Sequence, residues 1–168
     1  IQQILKEAKV PNGSFYFYFE NKDDFGLQLI DHLAGAISSE ALAGLYDQSI
    51  PPLDRLRRLY EMSIRFYADH DYSRGCPFGN LSQEMADLNP AFREKLRSVF
   101  DQMMQPGIAL LREAQERGEL SKELDPVRTT QFIHASWQGA IMKMKLEKSA
   151  APLELFIEMV FEQILEKK

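Results

Sequence analysis

The sequence predicts an all-α fold, and three observations carry that prediction. Apolar residues recur at intervals of three and four along almost every segment, the spacing that gathers them on one side of a helix. Prolines stand where new segments open, at Pro52, Pro77, Pro90, Pro126 and Pro152, a position where the missing N–H costs nothing. Short polar breaks, such as residues 69–75, separate one segment from the next.

The first segment has Ile1, Ile4, Leu5 and Ala8 at helical spacing, and Val10-Pro11-Asn12-Gly13 interrupts it. Pro11 cannot continue a helix, while Asn12 or Ser14 can cap a second, very short one. Within that second helix Phe15 and Phe19 lie four apart and face a core, which leaves Ser14, Tyr16, Phe17 and Tyr18 on the outer sides. Exposed aromatics invite association, so this is poor design for a mere connector. It suits a helix-turn-helix laid in the DNA major groove, where Tyr and Ser bond phosphates and an aromatic edge meets a thymine methyl.

From about Lys22 to Leu45 the chain reads as one helix, with Phe25, Leu29, Leu33 and Ile37 four apart and Asn21, Asp23 and Asp24 at its positive end. It connects a small N-terminal unit, residues 1–21, to a larger one, residues 46–168, and Gly35 and Gly44 weaken its far half. The next helix, Pro52 to about His70, carries two apolar stripes, one through Leu53, Leu56, Tyr60, Ile64 and Tyr67 and another through Leu59, Met62 and Phe66. So wide an arc predicts burial on more than one side. A short helix opens at Pro77 with Cys76 at its N-cap. A long one opens at Pro90, and Pro106-Gly107 is expected to kink or break it. Asp125-Pro126 and Pro152 start the last two helices, which carry more apolar surface than one small domain needs. The small residues among them allow close approach, and the pair reads as a four-helix dimer interface through Phe132, Ala135, Ser136, Gly139, Phe156, Val160 and Ile164. Ordinary core packing within one chain is the alternative.

Composition sets bounds. With 168 residues and 45% hydrophobic content the chain can bury a substantial core. A formal net charge of -5 argues against a general nucleic-acid coat, but a site-specific reader needs positive potential only where it meets phosphates. No apolar run approaches the roughly 18 residues that span a bilayer, so no membrane partner is expected. The single cysteine excludes an internal disulfide and fits the reducing cytoplasm. No metal, cofactor or catalytic set is expected: the three histidines, His32, His70 and His134, are widely separated, and there is no glycine-rich phosphate loop. An enzyme is therefore not expected.

The run from Ile4 to Lys22, dense at Gly13, Ser14, Phe15, Tyr16, Tyr18, Phe19 and Lys22, resembles the DNA-binding signature of the TetR family of one-component repressors. The resemblance implies an N-terminal helix-turn-helix domain and a larger helical ligand-binding and dimerisation domain. It places Asn12, Gly13, Ser14, Tyr16, Phe17, Tyr18 and Lys22 at operator DNA, with Phe17 towards base edges and Lys22 at a phosphate. The family motif begins with one more helix, so the first helix is expected to precede Ile1.

The stretch from Arg74 to Met85, with Trp137-Gln138-Gly139-Ala140, is similar to the subgroup of that family containing the acrylate-responsive and N-ethylmaleimide-responsive repressors. That similarity implies a small-molecule effector, an unsaturated acyl compound or other electrophile, that releases a homodimer from its operator. The residues themselves point the same way. A cysteine at an N-cap faces free N–H groups, a setting that favours the thiolate, and Arg74 adds positive charge. Such a thiolate can add to an α,β-unsaturated carbonyl or be oxidised. The other reading, weighed equally, is that Cys76 is a small buried apolar residue and effector binding is non-covalent. Phe66, Tyr67, Phe78, Met85, Phe100, Met103, Met104, His134 and Trp137 are the candidate pocket walls around it. His134 and Trp137 stand out because a polar ring atom needs a partner when buried. A helical adaptor that never touches DNA is the competitor from another class.

Overall fold

The computed structural model describes residues 1–166, and their side chains other than those of residue 12 and residues 37–43. Ile37 and the side chain of Asn12 therefore lie outside the described residues. The described residues form helices and connecting turns, with no strand among them.

Helix α1, Gln2–Glu7, closes through Lys9, which takes a left-handed φ of 55°. Val10 N donates to Leu5 O at 3.1 Å and Lys9 N to Lys6 O at 3.2 Å, which together satisfy the last carbonyls of the helix. The left-handed residue is thus a lysine immediately before the Val10-Pro11-Asn12-Gly13 interruption expected from the sequence. A 3-10 turn, Asn12–Ser14, leads directly into α2, Phe15–Tyr18. No side chain caps α2, so the expected Ser14 cap is not formed: its backbone is already helical, continuing the preceding turn.

Phe15 is only 2% exposed and anchors α2, its ring 5.2 Å from Phe19 and 5.7 Å from Phe25 of the next helix. That helix, α3, is Lys22–Leu42. Asn21 Oδ1 accepts from Asp24 N at 2.9 Å while Asp24 Oδ2 accepts from Glu20 N at 3.0 Å, a reciprocal cap on the first turn. A 3-10 turn, Ala43–Tyr46, finishes it.

The larger unit is built from α4, Pro52–Ala68; α5, Pro77–Met85; α6, Pro90–Glu116; α7, Pro126–Glu147; and α8, Ala151–Met159, followed by a π-helical turn, Val160–Ile164. Asn89 and Asp125 cap α6 and α7 through their side chains, as expected for residues placed just before a first-turn proline. Ile30, Phe78, Leu96, Leu111, Ile133, Met144 and Leu153 are fully buried and join the helices into one core.

Of the two outcomes expected at Pro106, the break does not occur: helix α6 continues through it. An interior proline costs about 3 kcal/mol, but Leu96 and Val99 before it and Ile108, Leu110 and Leu111 after it are all buried. Each contributes about 1.5–3 kcal/mol, so packing outweighs the lost hydrogen bond. Helix α4 packs its first stripe and Leu59 of its second against the core, whereas Met62 and Phe66 of the second stripe are exposed, and the buried position the pattern misses is Arg55.

Candidate nucleic-acid interface and effector site

On α2 the two anchoring rings turn inward, and the geometry of a short helix then forces the others out. Tyr16, Phe17 and Tyr18 are 69%, 83% and 68% exposed. Phe17 and Tyr18 meet edge to face at 5.1 Å, which braces them as a unit. Gly13 is exposed with nothing within 4 Å of the space a Cβ would take, and Ser14 is half-buried beside it. Lys22 stands exposed at the first position of α3. Six of the seven residues singled out for DNA thus have described side-chain surroundings, and Tyr16, Phe17, Tyr18 and Lys22 are open to a duplex.

The second region is centred on Cys76, which occupies the N-cap of α5 as the sequence predicts. Its Sγ accepts from Gly79 N at 3.5 Å, and the residue is buried. The first free N–H groups of the helix need acceptors, and the sulfur supplies one to Gly79. Arg74 does not join it: its guanidinium lies over the Phe66 ring, 5.9 Å from the centroid. Two α7 side chains approach the residues around the cap instead, and Lys148, just past the end of α7, reaches the loop before it. A Cβ on Gly79 would meet Gln138 Oε1 at 2.6 Å, a Cβ on Gly75 would meet Lys145 Cδ at 3.2 Å, and Lys148 Nζ donates to Tyr72 O at 3.4 Å. Gln138 and Lys145 were not singled out from sequence. Their spacing of seven on one helix is the signal that could have found them, once the face of α7 towards Cys76 was known.

The candidate effector residues do not form one group. Phe78 is fully buried, its ring 6.5 Å from Phe100, which meets His134 at 5.0 Å. Tyr67 is buried and belongs near Cys76: burial, and secondly the charge at Cys76, push its phenol above the ordinary range. His134 Nε2 is buried without a hydrogen-bond partner among the described residues, and burial pushes the imidazole down, so the ring is neutral at pH 7. Trp137 sits elsewhere, in a cluster with Tyr60 at 4.8 Å and Phe156 at 4.9 Å. Met85 and Met104 are half-buried, whereas Phe66 and Met103 are exposed at the surface rather than walls of an interior site. A groove of about 490 Å³ lies between α4 and α8, lined by Glu61, Ile64, Arg65, Glu154, Ile157, Glu158 and Glu162, and none of the candidate effector residues lines it.

The residues expected at a dimer face fall into two sets. Phe132, Ala135 and Gly139 are exposed and Ser136 is half-buried. Phe156 and Val160 are buried in the chain's own core, and Ile164 packs against it. Met142 and Leu146 on α7 and Leu155 and Met159 on α8 are also exposed. Phe132, Ala135, Gly139, Met142 and Leu146 alternate by three and four, a heptad-like stripe on the outer side of α7.

Comparison with known proteins adds the following. A profile described as the tetracyclin repressor-like C-terminal domain matches residues 52–160. The transcriptional regulator AcuR of Cereibacter sphaeroides is 42% identical over 156 residues, covering 93% of this chain and 71% of AcuR. The HTH-type transcriptional repressor DhaR of Mycobacterium sp. (strain GP1) is 36% identical over 165 residues, covering 98% of this chain and 81% of DhaR. The crystal structure of a regulatory protein TetR from Rhodobacter sphaeroides superposes with a TM-score of 0.87 at 42% identity, covering 92% of this chain and 82% of that one. These relatives are transcriptional regulators and not enzymes.

Proposed function

Because this chain belongs to the TetR family of transcriptional regulators, we propose that it is an effector-responsive repressor that binds operator DNA as a homodimer and leaves it when a small electrophile is captured near Cys76. Residues 1–21 serve as the reading head, 22–45 as the connecting helix, and 46–168 as the sensor and dimerisation unit. The observation that carries this reading is the outward display of Tyr16, Phe17 and Tyr18 on a helix whose other rings are pinned inside.

Tyr16, Tyr18 and Lys22 bond phosphates and Phe17 meets base edges; Asn12, Gly13 and Ser14 form the turn that admits the backbone. Two heads must enter successive major grooves about 34 Å apart. Exposed stripes on α7 and α8 pair two chains to set that separation. Effector capture then shifts a two-state balance towards a spacing that no longer fits.

At the sensor, the Cys76 thiolate attacks the β-carbon of an α,β-unsaturated carbonyl compound. A C–S bond forms, the alkene π pair moves to the α-carbon and enolate oxygen, and a solvent proton completes the adduct. Two observations favour this chemistry: the cap hydrogen bond from Gly79 to Sγ, and the stem of Lys145 beside the preceding residue. A non-covalent reading also has an observation behind it, the unpartnered His134 Nε2 next to Phe100, which a polar effector atom would satisfy.

Treatment of the full-length protein with N-ethylmaleimide or acrylate, read by operator binding in fluorescence anisotropy, separates the two. Covalent sensing predicts release for wild type and none for Cys76→Ser with N-ethylmaleimide. Equal release from both proteins contradicts it.

A further inference from the structure

Arg55 is a charged side chain only 4% exposed, at the junction of three elements. Its Nη1 donates to the Leu45 carbonyl, in the turn that finishes the connecting helix, at 2.9 Å. Its Nη2 pairs with Glu113 Oε1 on α6. Glu113 is held from the other side by Arg117 Nη1 at 3.4 Å, and Arg117 Nε reaches Glu119 at 2.7 Å. Arg55 Nε has no hydrogen-bond partner among the described residues.

A buried guanidinium is a poor choice for stability alone. Apolar side chains of similar volume fill such a site at equal or better stability, because desolvating the guanidinium, and in part Glu113, offsets much of their attraction. A planar fork with one prong on a carbonyl and the other on a carboxylate fixes a direction, which a methionine cannot. The direction fixed here is that of the chain leaving α3. The opposite end of α3 is fastened to the start of the same α6: Asn89 Nδ2 donates to Asp23 Oδ2 at 2.9 Å, and Lys95 Nζ reaches Asp31 Oδ2 at 2.6 Å. A Cβ on Gly26 would lie 2.6 Å from Phe92 Cζ, so the two helices touch closely between those bonds. Helix α6 therefore touches the first half of α3, reaches the turn beyond its far end through Arg55, and carries Phe100, the neighbour of His134, between these points.

We infer that Arg55 and Glu113 form a positioning clamp that sets the angle of the connecting helix, and through it the half-site spacing the paired heads accept. The 21 residues of α3 rise about 1.5 Å each, so a small change of angle at the clamped end displaces the head by several ångström. The inference rests on the repressor reading above.

Selection from a pool of duplexes, carrying the protein's own half-sites separated by spacers of varying length, tests it. Full-length wild type is compared with the Arg55→Met/Glu113→Leu double variant and with Glu113→Gln, and melting temperature is followed alongside. The clamp predicts that the double variant melts within a few degrees of wild type yet discriminates the best spacing from its neighbours at least fivefold less well. Glu113→Gln, which keeps an acceptor and loses only the charge, gives a smaller loss of the same kind and decides the matter if the double variant does not fold. Wild-type spacing preference in a folded variant overturns the clamp. Absence of sequence-selective binding by wild type overturns the repressor reading instead.

Discussion

Lys22 occupies the first turn of α3 with its side chain in solvent, where it spends nothing on the fold and is free for a phosphate. Lys22→Ala is accordingly expected to leave the melting temperature unchanged and to weaken operator binding about equally across sequences. The slope of log affinity against log salt should fall by about one; an unchanged slope removes Lys22 from the interface. His134 gives a different residue-scale prediction. Its buried ring resists protonation, so below the ordinary histidine value of about 6.5 the unfolded chain takes up a proton that the folded chain refuses. Stability present at neutral pH is therefore lost as pH falls through that value and towards the depressed folded one. His134→Phe should flatten this part of the melting profile between pH 7 and 5, and an equally steep profile contradicts the assignment.

At the scale of elements, Phe15 holds α2 against α3 with contacts to Phe19 and Phe25. Truncation of a buried Phe costs about 3–5 kcal/mol, more than a four-residue helix can hold by itself. Phe15→Ala should therefore abolish operator binding while circular dichroism retains most of the helix signal and effector binding persists; retained operator affinity would show that α2 is not the reader. Elements whose causes are local were legible in the sequence. The first-turn prolines, the Asn89 and Asp125 caps and the Cys76 cap all follow from neighbouring residues. Elements decided at long range were not. The helix survives Pro106 because of apolar burial on both sides, and Arg55 is buried because Glu113, 58 residues away, meets it. The packing of Trp137 on Tyr60 and Phe156 was likewise not legible, because periodicity gives a residue's face and not the neighbour across from it.

For the whole molecule, the exposed stripe of Phe132, Gly139, Met142 and Leu146, with Leu155 and Met159 beside it, is apolar surface that one chain leaves in water. The proposed homodimer covers it and tethers two heads at a fixed separation. Leu146→Glu combined with Met142→Glu is expected to give a folded monomer in light scattering, with operator affinity reduced at least a hundredfold because the second head no longer binds as a tethered partner. A dimer of unchanged strength would place the interface elsewhere. The sequence showed that these helices carry surplus apolar surface, and Ala135 and Gly139 lie on the exposed stripe, whereas Phe156 and Val160 are buried in the chain's own core; periodicity gives an apolar face without saying whether its own chain or another meets it.

Footprinting of the full-length protein on the DNA upstream of its own gene tests the central claim most directly. Operator reading by paired heads predicts protection of two major-groove faces about one helical turn apart, surviving excess competitor DNA and lost with Tyr16→Ala. Uniform, salt-sensitive protection that competitor DNA abolishes, in wild type and variant alike, would contradict it.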